Sequence, residues 1–113
     1  MDAQITFGGR SGGEYRFNRV GADAPWARNA GIAMFAVAET YGWRVIGMTE
    51  ITGRSHDVRP LWALREAERY GAPAVFFSSE RDPAARKAAL SDLQDALSPL
   101  VGGAVRAELK LAA

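Results

Sequence analysis

Apolar and polar residues alternate along Gln4–Phe7 and again along Glu14–Val20, with Ile5 and Phe7, then Tyr15 and Phe17, sharing one side of each segment. A period of two marks a strand with one buried face. Between them lies Gly8-Gly9-Arg10-Ser11-Gly12-Gly13, which reads as the turn of a β-hairpin. After a loop containing Pro25 and Trp26, the run Gly31–Ala38 is apolar almost without interruption, which suits a central strand covered on both faces. Tyr41-Gly42 then turns the chain into Trp43–Thr49, whose aromatic and β-branched content suits the strand partner of that run. Gly47 inside this segment weakens a strand unless a bend or a close approach is required there.

Residues 51–59 are polar and irregular, and Pro60 opens a helix at a position where its missing N–H costs nothing. Helical spacing places Leu61, Leu64 and Ala67 toward the core, and Gly71 stops the helix. Ala74–Phe77 is a short buried strand. Asp82 caps a second helix with Pro83 at its first position; Leu90, Leu93 and Leu97 form its apolar stripe, and Ser98-Pro99 ends it. Val105–Leu111 alternates again and favours a last strand, although its Ala, Glu, Leu and Lys content also suits a helix. The expected architecture is one α+β domain over residues 1–113, a small mixed or antiparallel sheet flanked by helices. It comprises an N-terminal hairpin at 1–20, a core at 31–99 and an extra strand at 104–112.

A chain of 113 residues that is 48% hydrophobic and 24% charged is long and apolar enough for one core. It has no cysteine, hence no disulfide framework and no thiolate metal site. The start MDAQITF has neither a basic stretch nor an apolar run, and no segment is long and apolar enough to span a bilayer, so a cytoplasmic protein without a membrane partner is expected. The net charge is +1, near balance on both sides of Arg59/Pro60, so a polyanion binder would have to gather its charges in space. Lys87 and Lys110 are the only lysines, and the remaining cations are arginines, the better forks for phosphate and carboxylate.

The order of elements, with several short motifs, resembles the GIY-YIG nuclease superfamily, in particular a small branch with an added N-terminal hairpin. Gly31-Ile32-Ala33 stands where the first signature strand belongs, and Val45-Ile46-Gly47 with Met48-Thr49 where the second does. Arg69-Tyr70-Gly71-Ala72-Pro73 looks like the helix end and strand start of that branch, and Arg86, Asp92-Leu93 and Pro99 fall at the spacing of its last helix. The resemblance implies a site in which a carboxylate holds a divalent metal, tyrosines activate water and an arginine steadies the phosphate. Carried over residue by residue, the two tyrosines become Ala33 and Val45, the metal-binding glutamate becomes Leu90, and a further asparagine becomes Gly102. Only the arginine role stays open, at Arg54 or Arg59, while Glu50 and Tyr41 lie near the ends of the signature strands and are the candidates to rescue a weak site. No catalytic residue, metal ligand set or cofactor is therefore expected, and Asp92, two helical positions from Leu90, is expected on the solvated side of its helix.

Other constellations carry less. The glycine loop lacks the Lys-Ser/Thr ending and the following helix of a phosphate cradle. His56, the only histidine, lies between Ser55 and Asp57, but adjacent loop residues do not form the aligned hydrogen bonds of a triad. The functional expectation is a catalytically silent GIY-YIG-like domain that binds a protein partner, with Trp26 and Trp62 as contact candidates. The alternative is nucleic-acid binding without cleavage through Arg10, Arg44, Arg54 and Arg59, with weak residual metal-dependent endonuclease activity ranked below it. Pairing of Ile5 and Phe7, or of the tail strand, with another copy through an open sheet edge would give a homodimer.

Overall fold

The computed structural model describes residues 4–21, 23–40, 42–71 and 73–97. Two hairpins form: β1 (Gln4–Gly8) with β2 (Glu14–Val20), and β3 (Gly31–Glu39) with β4 (Gly42–Ile51). Helix α1 (Arg59–Ala67), prolonged by a 3-10 turn at Glu68–Tyr70, leads to β5 (Ala74–Ser79), and α2 (Pro83–Leu97) follows. β5 inserts between the hairpins and joins them into one sheet of order β1-β2-β5-β3-β4, in which every neighbouring pair is antiparallel. The sheet is thus antiparallel and not mixed. Gly102 and the expected strand at 104–112 lie outside the described residues.

β3 is apolar on both sides because each side has a cover. Ile32, Met34 and Ala36 face α2, where Leu93, Phe76, Phe17 and Phe7 complete the packing. Ala33 and Phe35 face α1 and pack with Ala67, Val75 and Trp26. Phe7 meets Phe17 and Phe76 edge-on, with ring centroids 5.5 and 6.0 Å apart, the favoured aromatic arrangement. The first hairpin is covered mainly on the α2 side, hence its alternation: Phe7 and Phe17 are buried while Gln4, Thr6, Arg16 and Asn18 are exposed, and only at its end does Val20 pack with the cluster on the α1 side.

β4 carries one residue more than its partner. Phe35 pairs with Gly47 and Ala36 with Val45, so Ile46 has no opposite number and the strand bulges, which accounts for the glycine inside it. A residue inserted into a two-residue period moves every later side chain to the other face. Met48 and Glu50 consequently join Val45 on the α2 side, whereas Ile46 and Ile51 pack on the α1 side.

Two sequence expectations need correction. The inward stripe of α1 is Pro60, Ala63, Leu64 and Ala67, and Leu61 is 51% exposed. Trp26, in a 3-10 turn at Pro25–Arg28, is 2% exposed and stacks edge-on against Phe35, so it offers no contact surface. Asp82 caps α2 as expected, its carboxylate accepting from the Ala85 amide at 3.2 Å.

At Gly31 a methyl group would lie 2.2 Å from the Ser78 carbonyl oxygen, a backbone atom of the paired strand. Gly31→Ala is expected to destabilise the domain by about 1–3 kcal/mol, whereas Gly21→Ala, which meets nothing within 4 Å, stays close to neutral. Urea unfolding of both variants checks the contrast.

Candidate functional site

Two polar arrangements and one apolar surface stand out, and the residues singled out in the sequence distribute among them unevenly. The first arrangement lies where α2 crosses β4. Arg86 occupies the core-facing stripe of α2 in phase with Leu90, Leu93 and Leu97, and its side chain is 6% exposed. Its Nε donates to Glu50 Oε2 at 2.7 Å, and its Nη1 donates to the carbonyls of Glu80 and Arg81 at 3.2 and 3.4 Å. Glu50 is 17% exposed on its side chain, so both charges of the pair are largely removed from water. A buried guanidinium without a carboxylate would be costly; here the demand is met, and no buried side-chain nitrogen or oxygen among the described residues lacks a partner.

Beside this pair, at the outer edge of β4, Thr49, Glu50, Arg59, Trp62, Ala63 and Leu90 line a groove of about 350 Å³ between α1 and α2. The positions that the resemblance assigns to the nuclease site do not all converge here. Val45 and Leu90 share the α2 side of the sheet, but Ala33 is fully buried on the α1 side. Glu50, the candidate for rescue, reaches the groove with one carboxylate oxygen already accepting from Arg86. Tyr41 lies outside the described residues. Among the described residues, no three His, Cys, Asp or Glu side chains come together as metal ligands would.

The second arrangement closes the glycine loop. Asp92 accepts from the Ser11 amide at 2.8 Å, the Ser11 hydroxyl at 2.7 Å and the Tyr15 hydroxyl at 2.7 Å. Still partly open to solvent, Asp92 ties α2 to the first hairpin. The loop amides are spent internally, Gly9 on the Gly13 carbonyl, Gly12 on Gly9, Arg10 on the Asp92 carbonyl and Gly13 on the Ser11 hydroxyl. No row of free N–H groups remains to cradle a phosphate. Gly9 leaves room for the same contact, since a methyl group there would displace the Asp92 carboxylate.

The four arginines of the nucleic-acid alternative are dispersed. Arg10 sits in the β1–β2 turn at one edge of the sheet, and Arg44, on β4 at the other edge, lies 3.3 Å from Glu39. Arg54 and Arg59 both belong to the approach to α1. Arg59 grips Asp57 with Nε and Nη2 at 2.8 and 2.9 Å, and Thr52 donates to the same carboxylate at 2.9 Å. Asp57 is therefore engaged by Arg59 and Thr52, which leaves the exposed His56 outside any triad.

The third feature is the outer side of α1. Val58, Leu61 and Trp62 are 46, 51 and 67% exposed, and their spacing of three and four residues makes them neighbours on the helix surface. Trp62 also borders a groove of about 450 Å³ with Arg65, Glu66 and Arg69. Of the two tryptophans singled out in the sequence, only Trp62 is available for contact.

Comparison with protein-family models, with curated proteins and with solved structures finds no match. No helix among the described residues is long and apolar enough to cross a membrane.

The Ser11 hydroxyl bond, then the Tyr15 bond, hold the Asp92 carboxyl below its ordinary range, while the bond to Asp92 raises the Tyr15 phenol. A depressed carboxyl contributes stability above its unfolded pKa and loses it as pH falls; a raised phenol loses its contribution as pH climbs. The clamp should thus act fully between about pH 5 and 9 and fade on both sides. Asp92→Asn is expected to flatten the acid limb of the urea midpoint measured against pH. At the other site, Arg86→Met strands Glu50 and should cost about 3–5 kcal/mol. A double-mutant cycle with Glu50→Gln should return a coupling on the order of 1–3 kcal/mol, read from urea unfolding.

Proposed function

We propose that this chain is a catalytically silent binding module of GIY-YIG-like descent that holds a protein partner on the outer side of α1. The observation that carries this reading is the exposed cluster of Val58, Leu61 and Trp62. Single exposed apolar residues are ordinary, but a contiguous group containing a tryptophan has the composition of an interface centre. The order β3-β4-α1-β5-α2 supports the descent, since it is the order on which the resemblance rests. The silence is supported by chemistry at the β4 edge. Val45 and Leu90 bring no electron-pair donors to the α2 side, and Glu50, which shares the groove with Leu90, is paired with Arg86. Dispersal of Arg10 and Arg44 to opposite edges, with Arg44 and Arg59 each beside a carboxylate, favours protein over nucleic acid as the partner.

Trp62→Ala should leave stability within about 0.5 kcal/mol, because the ring is mostly in water. The same substitution should weaken a stoichiometric partner, purified from the native host and titrated calorimetrically, by about 2 kcal/mol or more, roughly thirtyfold. Partner affinity indifferent to Trp62 sinks the choice of face. Plasmid incubated with the protein and magnesium or manganese should stay intact; metal-dependent nicking that Glu50→Ala abolishes would overturn the non-catalytic reading.

A further inference from the structure

We infer that the partner segment taken by this face is an acidic amphipathic helix, an inference that rests on the outer side of α1 being the contact face. Val58, Trp62 and Arg65 follow one another at intervals of four and three residues along the outside of α1, and Arg69, in the 3-10 turn that prolongs it, borders the same groove as Trp62 and Arg65. The first turn of α1 is apolar, with Leu61 beside Trp62, and its last part is basic. The surface is therefore directional: an apolar seat that passes into a cationic one.

Charge complementarity selects the occupant. Arg65 makes no ion pair among the described residues, and Arg69 has only a 3.5 Å contact with Glu66 across the open helix surface. On the other side of the apolar seat, a second groove brings Arg28 and Arg54 next to Val58 and Leu61, and neither arginine has an ion-pair partner among the described residues. Arg28, Arg54 and Arg65, which make no ion pair among the described residues, thus bracket an apolar centre, on a chain whose net charge is only +1. A guanidinium fork is best satisfied by a carboxylate, which it binds through two parallel hydrogen bonds.

A helix with apolar side chains at positions i, i+3 and i+4 and with Asp or Glu around them satisfies both halves of the surface, its ridge lying along the groove beside Trp62. Nucleic acid fits less well, because Val58, Leu61 and the apolar part of the surface have no role against a sugar-phosphate backbone.

The test uses the full chain, immobilised and panned against a phage-displayed library of random peptides about 16 residues long, a length able to form a few helical turns. Wild type and Trp62→Ala are panned in parallel. The peptides enriched on wild type alone should combine Leu, Phe or Trp at helical spacing with Asp or Glu. Synthesised and titrated by fluorescence anisotropy, they should bind the Arg65→Glu/Arg69→Glu variant at least roughly tenfold more weakly, with its circular dichroism unchanged. Trp62-dependent enrichment of basic or uncharged peptides overturns the acidic helix and leaves the contact face standing. Enrichment that ignores Trp62, or no enrichment at all, overturns the inference, and the first of these also removes the face. An oligothymidylate strand that binds more tightly than any peptide, and loses that binding in Trp62→Ala, overturns it in favour of nucleic acid.

Discussion

One unpaired residue in β4 decides which side of the sheet receives the charged half of that strand. Without Ile46 as an extra residue, the register set by Val45 would turn Met48 and Glu50 toward α1 and Thr49 and Ile51 toward α2. With it, Met48 enters the core beneath α2 and Glu50 comes up opposite Arg86. The bulge costs a pair of ladder hydrogen bonds locally, and Gly47 next to it eases the bend. What it secures is a carboxylate within reach of the guanidinium on the inward stripe of α2.

That ion pair in turn fixes how α2 begins. Arg86 reaches back to the carbonyls of Glu80 and Arg81 while Asp82 caps the helix, so the turn between β5 and α2 is held from both ends. Further along, Asp92 ties the same helix to the β1–β2 turn through Ser11 and Tyr15. Helix α2 is thereby pinned at both edges of the sheet, to β4 by a buried pair and to the first hairpin by an exposed one. The two contacts differ in kind: the buried pair offsets a desolvation cost and the exposed clamp is open to solvent screening and to pH. Each contact engages its carboxylate in the fold, Glu50 through one oxygen and Asp92 through both.

Much of this was legible in the residues. Alternation in Glu14–Val20, uninterrupted apolarity in Gly31–Ala38, and Asp82-Pro83 ahead of a leucine stripe each specify an element by a local period, and each element forms where that period says. Phase between elements was less legible. Leu61, Leu64 and Ala67 count correctly as helical, but counting from Pro60 and not from Leu61 is a choice that only the sheet beneath α1 makes. Trp26 looked exposed because its neighbours are loop-like, and it is buried because Phe35 on β3 needs a cover. The partners Glu50–Arg86 and Ser11–Asp92 are separated by 36 and 81 residues, beyond any periodic signal. One clue was present: Arg86 is in phase with Leu90, Leu93 and Leu97, and an arginine on a buried stripe demands a distant carboxylate.

Helix α1 inverts the usual placement of size. The side of α1 that touches the sheet carries Pro60, Ala63 and Ala67 with Leu64, and such small residues let the helix lie close to β3 and β4. The side that meets water carries Val58, Leu61 and Trp62, the larger apolar surface. Selection for stability alone would place bulk inward, where each buried side chain contributes, and polar residues outward, as it does on β1 and β2. Folding gains little from an indole in water, so the proposed contact at α1 accounts for a position that stability alone does not.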